Sequence, residues 1–258
     1  MSISTGKPTL GVALIVKNEA KHLAACLDTV KDWVDEIVIL DSGSTDETEA
    51  IARCYTDKFY VNAQWPGFGK QRQLAQQYVN SDYVLWLDAD ERITPELKQS
   101  IQNALQANQH NVVYSVNRLS TAFGKFIRHA GWHPDWIVRL YRPQETHYND
   151  VQVHESVIIP SGCQVIKIAG DLEHYTFDDF FEFQKKQSKY AELWAKEKHI
   201  QGKKTSIASA IGHAVFSFIR TYFIKRGFLD GKHGFIIACI NAQYVLNKYI
   251  GLYLKQNK

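Results

Sequence analysis

Three apolar runs, each opening into a polar cluster that carries a carboxylate, set the limits on what this chain folds into. Residues 10–16 (LGVALIV) lead into Lys17-Asn18-Glu19, residues 36–40 (EIVIL) into Asp41-Ser42-Gly43-Ser44-Thr45-Asp46, and residues 83–87 (YVLWL) into Asp88-Ala89-Asp90-Glu91. Continuous apolar runs of this length fit strands covered on both faces, as in a parallel sheet. Segments of helical spacing lie between them: residues 20–30, 46–54 and 68–78, with residues 58–61 as a further short strand. Thr94 followed by Pro95 predicts a capped helix running to about Ala107. Strand and helix in alternation predict an α/β fold, a mostly parallel mixed sheet with helices on both faces.

After Asn111 the pattern changes. Residues 112–117, 137–141, 156–159 and 165–168 are short strand candidates, the mixed second half of the same sheet. Residues 178–198, 205–224 and 231–254 then read as helices. The 258 residues are 45% hydrophobic, which excludes a disordered chain. The four cysteines form no CxxC pair and are expected to be buried free thiols. The N-terminal residues lack the pattern of a secretory signal. No run of 18 apolar residues is present, so no spanning helix is expected.

In an open α/β sheet, ligands gather beyond the carboxyl ends of the strands. All three polar clusters fall at such ends. No GxGxxG follows the first strand and no GxxxxGK[ST] occurs, which disfavours dinucleotide-binding and P-loop enzymes and also a nucleotidyltransferase. Side chains must then hold any nucleotide. Asp88 and Asp90 flank one small residue at the end of a buried strand. Two such carboxylates repel one another unless a cation sits by them, and hard oxygen donors favour Mg2+ or Mn2+.

Residues 15–27 (IVKNEAKHLAACL), 36–48 (EIVILDSGSTDET), 69–74 (GKQRQL) and 85–92 (LWLDADER) together resemble glycosyltransferase family 2, of the GT-A fold. Residues 132–142 (WHPDWIVRLYR) and 153–156 (VHES), with the basic C-terminal helices, resemble a narrower branch, the lipopolysaccharide inner-core β-glucosyltransferases of Gram-negative bacteria. The resemblance implies a catalytic domain over residues 1–177, with a nucleotide-sugar half at about 9–110 and an acceptor half at about 111–177. It implies that Asp41 accepts the N3–H of uracil and that Lys17, Asn18, Glu19, Ser42 and Ser44 line the nucleotide. Lys70 and Arg72 would face ribose or phosphate, and Arg139 the donor diphosphate or an anionic acceptor. Asp88 would approach ribose or metal-bound water, Asp90 would bind a divalent cation, Mg2+ or Mn2+, and His154 would supply a nitrogen to it. Inverting transfer needs a base for the acceptor hydroxyl, and Glu155 is the candidate with Asp150 in reserve. The other histidines, His174 among them, form no ligand spacing.

Charge divides the chain. Residues 1–182 hold 16 Lys+Arg against 24 Asp+Glu, a net −8, while residues 183–258 hold 14 against 3, a net +11. The basic part also carries 12 aromatic residues. Residues 178–258 therefore read as a helical region that meets an anionic membrane surface or packs on protein. A nucleic-acid partner is not expected, since no base-reading module is visible.

The reading is an inverting hexosyltransferase that uses a UDP-sugar, UDP-glucose by resemblance, and acts on a heptose of a lipid-linked core oligosaccharide. It would sit in the cytoplasm against the inner membrane. Nothing in the sequence separates glucose from its epimers or sets the oligomeric state. Another nucleotide sugar with a polysaccharide or protein acceptor, or a nucleotide-sugar sensor without turnover, stays open.

Overall fold

The structure is a computed structural model that describes residues 7–151 and 155–256. Its described residues divide into two compact units. The first holds the chain up to Arg118 together with Asp135–His174, and the second holds Leu119–Pro134 and Tyr175 onward.

The first unit is built on β1 (Leu10–Val16), α1 (Leu23–Leu27), β2 (Glu36–Asp41), α2 (Thr48–Ala52), β3 (Phe59–Val61), α3 (Phe68–Gln76), β4 (Tyr83–Trp86), β5 (Glu91–Ile93) and α4 (Pro95–Ala107). Later strands are β6 (Val112–Ala122), β7 (Lys125–Phe126), β8 (Trp136–Tyr141) and β9 (Gln164–Phe177). The sheet order is β3-β2-β1-β4-β8-β6-β9-β5, with β7 paired to the end of β6. Pairs β1–β2, β1–β4 and β2–β3 are parallel, and β8 joins β4 antiparallel. This is the mixed α/β sheet expected, with the parallel half leading.

Side-chain alternation explains its two cores. Leu10, Val12, Leu14 and Val16 of β1 face one layer with Leu23 and Leu27 of α1 and Leu97 and Ile101 of α4. Ala13 faces the opposite layer with Val38, Leu40, Val84, Trp86 and Ala75 of α3. Alternate residues of a strand point to opposite faces, so β1 needs helices on both. The Thr94 hydroxyl accepts from the Leu97 N–H (3.3 Å) and Pro95 opens α4, as the sequence predicts.

Some expectations change. Residues 156–159 form only an isolated bridge, Tyr148 to Val157, and β5 has no apolar run to announce it. β9 extends well past residues 165–168 because its polar residues alternate on a half-exposed strand. All four cysteines are free, but only Cys26 is buried; Cys54 and Cys239 are exposed.

The second unit holds α5 (Phe180–Ile200), α6 (Ile207–Ile219), a π-helical turn (Arg220–Ile224) and α7 (Lys232–Gln256). Helix α7 packs on both α5 and α6. Gly234 permits a close approach: a Cβ there would lie 1.7 Å from the Gly227 carbonyl oxygen. Buried Asp230 ties residues 125–129 to these helices, accepting from the His129 N–H (2.8 Å) while its own carbonyl takes the Lys125 ammonium (2.7 Å). Ile207–Ile224 is one continuous 18-residue stretch of mean hydropathy 1.4, long and apolar enough to cross a membrane. The stretch includes His213 and Arg220, so it is not an unbroken apolar run.

Candidate functional site

The site grows from the carboxyl ends of β1, β2 and β4. Asn18 takes a left-handed conformation (φ 56°), which turns the chain sharply after β1. Its side-chain oxygen accepts the Thr45 N–H (2.8 Å), while its own N–H donates to the Ser44 hydroxyl (2.8 Å). The Glu19 N–H donates to the Thr48 hydroxyl (2.8 Å). These bonds stitch the first strand-end loop to the second.

Asp41 is buried, and its Oδ2 accepts the Gly43 and Ser44 N–H groups (3.1 and 2.8 Å) while the Ser44 hydroxyl bonds Oδ1. The carboxylate thus shapes its own loop and retains further lone pairs on each oxygen. Ser42 is held by the buried Gln71 amide (3.0 Å). Lys17, Glu19 and Ser42 line a cavity of about 450 Å3 together with Ile15, Trp65 and Phe68. Trp65 and Phe68 meet edge to face (4.7 Å, 87°). Sequence reasoning missed this aromatic wall; the WPGF run before α3 was its only signal.

Beyond β4 lies an ion-pair hub. Asp88 Oδ1 accepts from Arg72 Nη2 (2.6 Å) and Oδ2 from Arg139 Nη2 (2.6 Å). Arg139 Nη2 also reaches Glu91 Oε1 (2.8 Å), and Glu91 Oε2 accepts the Asp88 N–H (2.9 Å). Arg72 Nε lies 3.4 Å from Glu155 Oε1, and its guanidinium lies over the Trp86 and Tyr148 rings. Both arginines are buried, whereas Lys70 is exposed. Asp88 thus holds two guanidiniums, partners that the sequence expectation did not include. Burial works to raise its pKa, but the Arg139 and Arg72 charges hold it well below the usual carboxylate range. Burial raises that of Glu91, with Arg139 opposing. Arg72 Nη1 and Arg139 Nε are buried with no hydrogen-bond partner among the described residues. Unpaired buried N–H groups of this kind suit an anionic ligand.

Asp90 points elsewhere. Its Oδ2 lies 3.2 Å from His174 Nε2, brought there because His174 of β9 pairs opposite Glu91 of β5. The sequence reading had set His174 aside, since nothing local links positions 90 and 174. The proposed ligand His154 lies outside the described residues. Glu155 is mostly buried and joins the hub through Arg72, while Asp150 is exposed. Gly69 lets α3 approach that loop: a Cβ there would stand 2.0 Å from the Asn149 carbonyl oxygen.

Among the described residues no three His, Cys, Asp or Glu side chains gather into a metal cluster. Asp90 and His174 offer an oxygen and a nitrogen, and an Mg2+ or Mn2+ ion keeps waters and takes substrate phosphate oxygens for its other positions. Asp90 and His174 would be the protein donors to such an ion.

Glu19 links the cavity to these carboxylates electrostatically. Burial, then the charges of Asp90, Asp88 and Asp46, raise its pKa from 4.5 to about 7. The folded state thus binds more protons than the unfolded chain between those values, and stability falls as pH rises through that window. Glu19→Gln is expected to raise the melting temperature at pH 8 by a few degrees, at about 2–4 °C per kcal/mol, and to leave it unchanged near pH 4. Thermal unfolding across that range checks this; a constant offset at every pH contradicts it.

Residues 12–174 match the model of glycosyl transferase family 2. The lipopolysaccharide core biosynthesis glycosyltransferase LpsC of Rhizobium meliloti is 30% identical over 92% of this chain and 89% of its own length. An uncharacterized glycosyltransferase of Rickettsia typhi is 27% identical, covering 89% of this chain and 81% of its own. Among solved structures, glucosyl-3-phosphoglycerate synthase from Mycobacterium tuberculosis, in complex with Mn2+, UDP and glucosyl-3-phosphoglycerate, is 25% identical with a TM-score of 0.37. The match covers 44% of each chain, so this chain spans under half of that protein.

Proposed function

Because this chain belongs to glycosyl transferase family 2, we propose that it transfers glucose from UDP-glucose, with inversion, to a heptose of the lipopolysaccharide inner core. The acceptor class is supported by the relative named for lipopolysaccharide core biosynthesis, which aligns with nearly the whole chain. The observation that carries the chemistry is Arg72, which joins Glu155 and Asp88 in one buried hub and keeps an unpaired Nη1.

In this reading the nucleoside occupies the cavity at Lys17, Glu19 and Ser42, with Trp65 and Phe68 as an apolar wall and Asp41 toward uracil. The buried Arg72 and Arg139 charges favour an anionic diphosphate beside this end of β4. Asp90 and His174 would hold a divalent cation, which would supply stabilisation of negative charge on the departing UDP. Glu155 takes the acceptor hydroxyl proton as that oxygen attacks the anomeric carbon from the side opposite UDP. The exposed, cationic second unit keeps the enzyme on the cytoplasmic face of the inner membrane, where a lipid-linked acceptor is found.

The test is a donor screen that reads UDP release in the presence of purified core lipids of defined truncation. Release is expected from UDP-glucose with a heptose-terminated acceptor. It should stop on chelation and return with Mg2+ or Mn2+. UDP binding with no release from any nucleotide sugar, authentic acceptor present, favours a sensor instead.

A further inference from the structure

A second cavity, about 560 Å3, lies wholly within the second unit, lined by α6, the π-helical turn, α7 and residues 130–131. Arg220, Lys225 and Lys248 line it, and no Asp or Glu does. None of the three has a carboxylate partner among the described residues. Neutral donors accompany them: Asn241, whose amide donates to the Thr221 hydroxyl (3.3 Å), and Tyr244. His213 stacks flat on Tyr249 (4.3 Å, 10°). The Lys248 ammonium rests over the Trp194 and Tyr244 rings (4.3 and 5.0 Å), which hold it in place. Burial, then the charge of Lys198, lowers its pKa.

The outer face of α6 has the opposite character. Ile207, Ile211, Val215, Ile219 and Phe223 recur every four residues and are 42% to 56% exposed. A row of this length on water is otherwise a liability. An apolar row beside a cationic cavity is the arrangement that meets a lipid surface, where acyl chains and phosphate lie a few ångströms apart.

We propose that this cavity binds the phosphate of an anionic lipid headgroup, with the Ile207–Phe223 row seated in the acyl boundary beside it. The proposal deepens the membrane part of the function proposed above: it replaces diffuse charge attraction by a defined site. Phosphate recognition follows from three cations that line one cavity with no carboxylate among them, together with hydroxyl and amide donors. Commitment to a lipid rather than a soluble phosphate follows from the exposed row, which a soluble ligand leaves in water.

The test measures partition of the full chain onto phosphatidylcholine vesicles that carry phosphatidic acid or, at matched surface charge, phosphatidylserine. Wild type is expected to prefer phosphatidic acid. Arg220→Gln/Lys225→Gln/Lys248→Gln is expected to lose that preference and to bind phosphatidic acid about tenfold to a hundredfold more weakly. Lys185→Gln/Lys189→Gln/Lys203→Gln removes the same charge elsewhere on the unit and should cost less than about threefold, keeping the preference. Equal losses in the two variants overturn the proposal in favour of diffuse attraction. Binding of inorganic phosphate by wild type with no partition onto either vesicle assigns the cavity to a soluble ion and overturns it as well. So does self-association without vesicle binding, which makes the exposed row a contact between copies. A charge-retaining Arg220→Lys/Lys225→Arg variant should bind as wild type does, which separates loss of the site from loss of the fold. Partition is read without turnover, so its failure leaves the transfer reaction standing, and failure of the donor screen leaves the lipid site standing.

Discussion

Asp88→Asn is expected to destabilise the protein by about 3 kcal/mol. The carboxylate is the shared acceptor of Arg72 and Arg139, whose side chains are 4% and 5% exposed. The amide keeps the shape but removes the charge, and its NH2 group then faces a guanidinium. Breaking one side of a buried ion pair costs roughly 3–5 kcal/mol because the partner charge stays buried and unpaired. The lower end applies because 31% of the Asp88 side chain meets solvent and Glu91 still holds Arg139. Urea unfolding at pH 7 measures the effect. Arg72→Met alone should also destabilise, and combining it with Asp88→Asn should cost less than the sum, since the two lose one interaction. The same charges set a pH dependence. The folded pKa of Asp88 is held below its ordinary value of 3.8, so the stabilisation is complete above that value and is lost as pH falls beneath it. A loss under about 1 kcal/mol, or full additivity, would mean that the hub does not hold this end of β4.

The second large effect is kinetic. Glu155→Gln is expected to reduce turnover by about 10²–10⁴, the usual contribution of a general base. The amide oxygen can still accept from Arg72 Nε, so the loop and UDP binding should survive. Asp150 is exposed and has no place in the hub, so Asp150→Asn should stay near wild type. The pH–rate profile separates roles: an acidic limb is expected in wild type and should vanish in Glu155→Gln if that carboxylate takes the proton. Normal turnover in Glu155→Gln with loss in Asp150→Asn moves the base to Asp150.

These two expectations rest on contacts of different legibility. Strands β1, β2 and β4 were readable because each is a local apolar run, and so were the Thr94 cap and the placement of Lys17, Asp41 and Asp88 at strand ends. The three C-terminal helices were readable from periodicity for the same reason. The hub was not, since it joins residues 72, 88, 91, 139 and 155 through sheet register and the approach of α3 at Gly69. No local period marks such a meeting. Burial added a role to two residues: Arg72 and Arg139, read as ligands for phosphate, are also the partners of Asp88. His174 was passed over because its neighbours in sequence carry no ligand spacing, yet β9 sets it against Asp90. The exposed row on α6 was obscured by Arg220 and His213, which the helix turns toward the cavity and away from that row.

Transfer of a hexose with inversion to the lipopolysaccharide core is tested most directly by analysing the product itself. Purified protein would be incubated with UDP-glucose, Mg2+ or Mn2+ and a heptose-terminated core lipid, and the isolated glycolipid examined by mass spectrometry and NMR. One added hexose per lipid, joined to heptose through a β linkage, is expected from an α-linked donor. An α linkage, or UDP released with no hexose on the lipid, contradicts it.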